Sequence, residues 1–516
     1  MHRLLARLSL LRLRPTVWVG LLVTVVAYGT YFDGYWNPPN FFWDENYHVA
    51  AAQKYLHGTF FMEPHPPLGK LLIALGERLV APEVNGSSDQ FLSTSHAAEV
   101  PPGFSFVGFR LVPALLAWLG APLLFAIFVL ITRNAIVAGL LTVPYIFDNA
   151  LIVHSRAAML EPPLTFFALA MIALFLLLLR IRGAPGAKPR AVWLLSALLG
   201  GCFAAVLTIK ASGLVMIVLY GPLLWIFVRD GNVRGALRNV VLPSAVGFAI
   251  VFVAVWQTHF ALAATVNPEL KNDGYFQASD AYKQLLTDAE TGSIAHFGVM
   301  LRDSLAFLPH YSRGVPKLDL CKSGENGSPW FFWPVGARAI NYRWETSGGD
   351  AEATYRYLYL QSNPIGWLLG FLGVVLAATM LLGSVILPLE RPLEHRFLLA
   401  VFLGLYIAYM VAISQIDRVM YLYHYFLPLL FSFILLGVAV MELRQIAGWR
   451  LDGRRRQVAL ALCATAVVGS FLFYRPLTYY TPITDAAFAR RSLFRIWDLH
   501  CARCERTGPL VGESCS

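Results

Sequence analysis

The sequence predicts an all-α polytopic membrane protein of about eleven transmembrane helices, with extracytoplasmic loops that carry short amphipathic helices. Three observations lead there. Of 516 residues, 57% are hydrophobic and only 14% are charged, and the mean hydropathy is +0.57. A soluble chain has too little interior for that much apolar surface, because single cores stop growing at roughly 250 to 300 residues. Apolar stretches able to cross ~30 Å of hydrocarbon, at ~20 helical residues each, begin near residues 16, 106, 134, 162, 191, 212, 239, 364, 397, 423 and 457. The formal net charge of +10 comes from Arg and Lys gathered in short connections, which reads as the positive-inside rule and argues against nucleic acid as a partner.

Taken in order, Arg3, Arg7, Arg12 and Arg14 precede an apolar run from Val17 to Ala27. That charge order resembles a signal peptide, but no small-x-small cleavage site follows, so a retained first helix with a cytoplasmic N-terminus is expected. The connections after even-numbered spans hold Arg133 and the groups Arg180 to Arg190, Arg229 to Arg238, Arg391 with Arg396, and Arg444 to Arg456. These are the expected cytoplasmic turns. The same parity exports the loop at Asp44-Glu45, the turns at Arg156, Lys210 and Arg418, a long segment from Val266 to Asn363, and the tail from Tyr474. The expected division is a transmembrane domain over residues 1–475, with external loops at about 35–105 and 263–363, and an extracytoplasmic tail at 476–516. The large loop mixes aromatic, Pro and charged residues with amphipathic patterns such as Ala281 to Leu308, and it does not read as strand.

Six cysteines are present. Cys202 and Cys463 fall in apolar runs and read as buried thiols, whereas Cys321, Cys501, Cys504 and Cys515 fall outside, where disulfides can form.

Residues 41–70, FFWDENYHVAAAQKYLHGTFFMEPHPPLGK, organise the chain. Acids beside a span face water, a cavity or a partner, because charge at a helix centre costs ~2.5 to 3.5 kcal/mol. Asp44 and Glu45 therefore mark a cleft at the outer surface, or in the simpler alternative a solvated interface.

FWDENYH and EPHPPLGKLLIALG resemble the first external loop of protein O-mannosyltransferases, a branch of the C-type glycosyltransferases. The resemblance continues through GFRLVPALLAWLGAPL, HSRAAMLEPPLTFF, TIKASGL, SPWFFWPVGARAINYRW, YLYLQSNP and DRVMYLYHYFLP, from about residue 40 to 430. It implies inverting transfer of mannose from a polyprenyl-phosphate donor to Ser or Thr hydroxyls of exported protein acceptors. Asp44 is then the base and Glu45 its support.

The chemistry fits these residue types. A carboxylate of ordinary pKa ~3.9 is a weak base toward an alcohol, so one suffices only if proton removal comes late, as the anomeric carbon turns oxocarbenium-like. The leaving phosphate needs cations, for which Arg156 is the first candidate and Arg110, Lys210, Arg418 and Lys70 are further ones; each cation has snorkelling or a lipid headgroup contact as its alternative. His65 is expected to orient the loop, with Pro66 and Pro67 setting an extended approach to the next helix. Glu161 departs from the Asp usual in the family, and its role is open. Trp330 and Trp333 are candidate walls for sugar or acceptor, with an interfacial belt as the alternative.

No cofactor is expected to be required; a divalent metal on His65 with Glu63 and Asp44 is the alternative, but it is not indicated because recurrent metal-ligand spacing is lacking. The large loop is too short for the β-trefoil insertion of eukaryotic members, so the chain resembles a bacterial-type member, expected in the plasma membrane among membrane lipids and near the export machinery. The rival readings are a related C-type enzyme moving another lipid-linked sugar to a lipid or glycan, and a lipid-sugar flippase.

Overall fold

The computed structural model describes residues 15–80, 89–182, 189–229, 233–267, 273–322, 324–347, 354–388, 391–446 and 448–501. Among them, 10 helices are long and apolar enough to span a membrane, and the pair Ala135–Ile146 and Asn149–Ser155, bent by 65°, makes up to 11. The starts fall close to those expected, at Pro15, Val107, Ala135, Glu161, Pro189, Ala211, Val233, Pro364, Arg396, Leu422 and Gly453. Leu422–Glu442 is the innermost span, with 89% of its apolar window buried against other helices. Arg3, Arg7, Arg12, Arg14, Lys188, Cys504 and Cys515 lie outside the described residues.

The bend in the third span has a local cause. Asp148 caps Asn149–Ser155 by accepting from Leu151 N at 2.8 Å, and its other oxygen accepts from the Trp367 indole at 2.7 Å. Asn363 ties the same corner, donating to Phe147 O and Val467 O at 2.9 Å each. The side-chain cap satisfies donors that a helix start leaves open. The short helix beyond the bend then carries His154 and leads into Arg156.

The large loop holds the amphipathic helices Asp280–Thr287 and Phe297–Ser312. It also forms a small sheet that the sequence reading did not anticipate. β1 (Ile340–Ser347) pairs antiparallel with β2 (Thr354–Leu360), and β2 pairs with β3 (Pro482–Thr484) beyond the last span. Tyr355, Tyr357 and Tyr359 alternate along β2 and are buried against Tyr474, Phe488 and Trp497, a period of two that aromatic richness disguised as a membrane belt. Arg338 N and Ala339 N donate to Ile496 O and Trp497 O at 2.9 and 2.7 Å. The C-terminal segment and the large loop therefore share one face of the bundle. Cys321 and Cys501 each take part in a disulfide, and Cys202 and Cys463 are free and half-buried.

Candidate active site

Asp44 stands at the N-cap of the helix Glu45–Leu56, yet its side chain makes no capping bond. One carboxylate oxygen instead accepts from the Tyr423 hydroxyl at 3.1 Å, and the residue is half-buried. Burial raises the Asp44 pKa above the ordinary carboxylate range. The Tyr423 bond opposes that rise, Glu161 adds to it, and Lys210 and His154 oppose it.

Glu45, next in the chain, points the other way. Its Oε1 and Oε2 receive Nε and Nη2 of Arg110 at 2.6 and 2.7 Å, and Oε1 also accepts from Ala158 N at 2.9 Å. Arg110 is fully buried. Nη1 donates to Trp36 O and Pro38 O at 2.8 and 2.7 Å, and Nη2 to Asn40 O at 2.7 Å, while the guanidinium lies between the Phe42 and Phe106 rings at 4.7 and 4.2 Å. All five donors of the guanidinium are used, which leaves none for a phosphate. Arg110 thereby ties the acid-pair loop to the second span.

Arg156, the first candidate for phosphate, is partly occupied. Nη1 donates to Asp33 O at 2.7 Å and Nη2 to Gly34 O, and the guanidinium stacks on Tyr479 at 4.9 Å. It pins the turn after the first span, where Gly34 has φ +63°. Lys70 is buried and paired with Glu63.

Lys210 acts on Asp44 directly, its charge favouring the ionised carboxylate. Lys210 pairs with Glu161 and sits 5.4 Å over the Tyr423 ring. Arg418 is half-buried, with no ion pair among the described residues. Its neighbour Tyr421 feels the charges of both Asp44 and Arg418. Arg418, Lys317, Ser328, Trp330, Asp417 and Met420 help line a cleft of about 210 Å³. Half-buried His65 is held neutral, its pKa pushed down to about 3 first by burial and then by Lys210.

Glu161 begins the fourth span, where Pro162 and Pro163 suit a helix start that needs few backbone donors. Its Oε2 meets His154 Nε2 at 2.7 Å while Oε1 meets Lys210. The other nitrogen of His154 meets the Tyr342 hydroxyl at 2.7 Å, and the imidazole stacks on Tyr423 at 4.9 Å. His154 and Tyr423 went unmarked in the sequence as site residues. Each sits in an apolar, aromatic run, and only the quoted motifs HSRAAMLEPP and DRVMYLYHYFLP drew notice to those runs.

Of the two tryptophans, Trp330 is 36% exposed and Trp333 is fully buried, donating to Ser328 Oγ at 2.8 Å. Trp333 thus packs in the interior, whereas Trp330 lines the cleft beside Arg418. Among the described residues no group of three or more His, Cys, Asp or Glu could hold a metal ion.

The geometry offers one half-buried aspartate with weakened acidity, with Lys210, His154 and Tyr423 about it, on the face that carries the large loop. Such a set can take a proton from a hydroxyl and stabilise a departing anion.

The sequence profile of the dolichyl-phosphate-mannose-protein mannosyltransferase family matches residues 21–257, and that of the C-terminal four-span region of protein O-mannosyltransferase matches residues 317–497. A polyprenol-phosphate-mannose–protein mannosyltransferase of Corynebacterium glutamicum is 26% identical over 477 residues, covering 84% of this chain and 81% of that protein. Protein O-mannosyl-transferase 2 of Danio rerio is 27% identical over 269 residues, 51% of this chain. The alignment spans only about a third of that relative, at 34%. The fold matches a chain of the Saccharomyces cerevisiae protein O-mannosyltransferase complex bound to the sugar donor, with a TM-score of 0.74 and 15% identity over 94% of this chain and 92% of that one. With matches over both halves of its length, the chain belongs to the protein O-mannosyltransferase family.

Proposed function

We propose that this protein transfers mannose from polyprenyl-phosphate mannose to Ser or Thr hydroxyls of exported proteins, in one inverting displacement with Asp44 as the base. The observation that carries the reading is the divergence of the acid pair. Glu45 is consumed by Arg110, while half-buried Asp44 keeps its carboxylate among Tyr423, Lys210 and His154. The related Corynebacterium glutamicum protein is by name a polyprenol-phosphate-mannose–protein mannosyltransferase.

In the reaction the acceptor oxygen attacks the anomeric carbon as the bond to phosphate breaks. The hydroxyl proton passes to Asp44, and the phosphate departs as an anion. Lys210 and Arg418 receive that charge, since Arg110 spends all five donors on Glu45 and backbone carbonyls and Arg156 is turned toward the carbonyls of Asp33 and Gly34. Glu45 and Arg110 shape the loop, Arg156 holds the turn before it, and Lys70 with Glu63 holds its far end. Glu161 sets Lys210 in place. The prenyl tail lies among the spans.

The site is assigned to the extracytoplasmic face of the plasma membrane, with the N-terminus cytoplasmic and acceptors delivered by the export machinery. Supporting this, the count of eleven spans reached when the bent pair is taken as one puts the C-terminal segment opposite the N-terminus, and β3 pairs with a strand of the large loop.

The test is transfer of labelled mannose by purified protein from synthetic polyprenyl-phosphate mannose to a Ser/Thr peptide. Product in the α-anomeric form from a β-linked donor is expected. Transfer only to lipid or glycan acceptors, or only from another sugar, would replace this reading with that of a related C-type enzyme.

A further inference from the structure

We infer that Trp43 and Tyr342 are positioning residues, an aromatic clamp through which the large outer loop holds the strained backbone that aims Asp44. The inference rests on Asp44 being the base.

Trp43 has φ +56°, in the left-handed region that an ordinary L residue with a bulky side chain avoids. The next residue is Asp44, so the peptide that leads into the carboxylate is the one under strain. Such a conformation persists only where its surroundings hold it. Here they do, because the indole lies in a box of three tyrosines. Tyr342 stacks on it at 5.1 Å and 16°, Tyr421 meets it edge-on at 5.2 Å and 84°, and Tyr423 meets it edge-on at 6.4 Å and 75°.

The Tyr342 wall is built by a defect in the sheet. Along the β1–β2 pairing, Asn341 faces Tyr359 and Arg343 faces Leu358, so the register shifts at Tyr342. A bulge of this kind re-aims a side chain, and Tyr342 faces the 41–43 segment. Phe42 stacks on it at 6.2 Å, and Arg343 Nη1 donates to Phe41 O at 3.3 Å. The Tyr342 hydroxyl is anchored on His154 at 2.7 Å, and His154 on Glu161 at 2.7 Å. One chain of contacts thus runs from the pair Glu161–Lys210 through His154 and Tyr342 to Trp43 and the carboxylate.

A displacement of the reacting groups by ~1 Å can cost ~10²-fold in rate. The experiment measures kcat and donor KM of the full-length protein in lipid nanodiscs for Trp43→Leu, Trp43→Phe, Tyr342→Leu and Tyr342→Phe, alone and combined with Asp44→Asn. The two Leu variants are expected to lose about 10²-fold in kcat with donor KM within about twofold, and the Phe variants to recover most of it. Because the clamp works through the carboxylate, Trp43→Leu should subtract little further from Asp44→Asn. If Trp43→Leu does not fold, Tyr342→Phe decides: it keeps the stack, loses one hydroxyl, and is expected to lower kcat alone by several-fold. Normal kcat in the Trp43 and Tyr342 variants, or losses that multiply with that of Asp44→Asn, overturns the clamp and leaves the base intact. Near-normal turnover of Asp44→Asn alone overturns both.

Discussion

Glu45 and Arg110 meet through two parallel bonds of 2.6 and 2.7 Å, both side chains fully buried. Because that pair closes the first loop against the second span, the neighbouring acid is left as the one carboxylate of the two that can face a substrate. Removing one partner strands the other charge, which costs ~3–5 kcal/mol in buried pairs. Arg110→Ala and Glu45→Ala are each expected to lower the melting temperature strongly and to yield little folded protein. Near wild-type melting of either variant would remove the pair from the scaffold.

Arg156 donates to carbonyls and stacks on Tyr479, so Arg156→Lys loses planar geometry while keeping charge. A stability loss of ~1–3 kcal/mol with an unchanged donor KM is expected in melting and steady-state assays. Arg418→Gln and Lys210→Gln should do the reverse and raise donor KM by about 10- to 100-fold, the worth of one charged hydrogen bond. A donor KM that moves with Arg156 and stays with Arg418 would restore the first candidate.

Glu161 reaches His154 and Lys210 at once. Glu161→Asp shortens that reach by about 1.5 Å and is expected to slow transfer by about 10-fold or more. Glu161→Gln keeps the length, leaves Lys210 without its counter-charge, and should be the less stable of the two by thermal melting. Full turnover by both variants would show that the bridge is dispensable.

The pH dependence follows from two shifted groups. Asp44 has a raised pKa, against ~3.9 when unfolded, so its contribution to stability is full below ~3.9 and is lost as pH rises through the native value. Asp44→Asn should therefore be more stable than wild type at neutral pH, an advantage that vanishes in acid. Activity runs opposite, because the base must be ionised, so kcat/KM should fall on an acid limb above the usual carboxylate range. His65, pushed down to about 3 from ~6.5, contributes stability above ~6.5 that is lost as pH falls toward 3. Melting curves of Asp44→Asn and His65→Asn against pH check both signs.

Much of this was legible in the sequence because the bilayer imposes it. Span positions follow from apolar length alone, and the acid pair beside Trp43 stood out because charge near hydrocarbon needs a reason. Which acid does chemistry was not written in the pair itself. That depends on Arg110, 65 residues away, whose five donors could be seen to be spent only once the loop was folded. Arg156 shows the same blindness: a lone arginine between apolar runs looks available, and its carbonyl partners carry no side-chain signature. Tyr423 and His154 were hidden for another reason. In an aromatic-rich chain, rings at membrane height are usually belt or packing, and their convergence on Asp44 is a matter of tertiary contact.

The most direct measurement is turnover of Asp44→Asn beside wild type, using labelled mannose on synthetic polyprenyl phosphate and a Ser/Thr peptide, with folding checked by melting. A folded variant with transfer reduced to near background is predicted. A folded variant that transfers mannose at close to the wild-type rate would contradict the account.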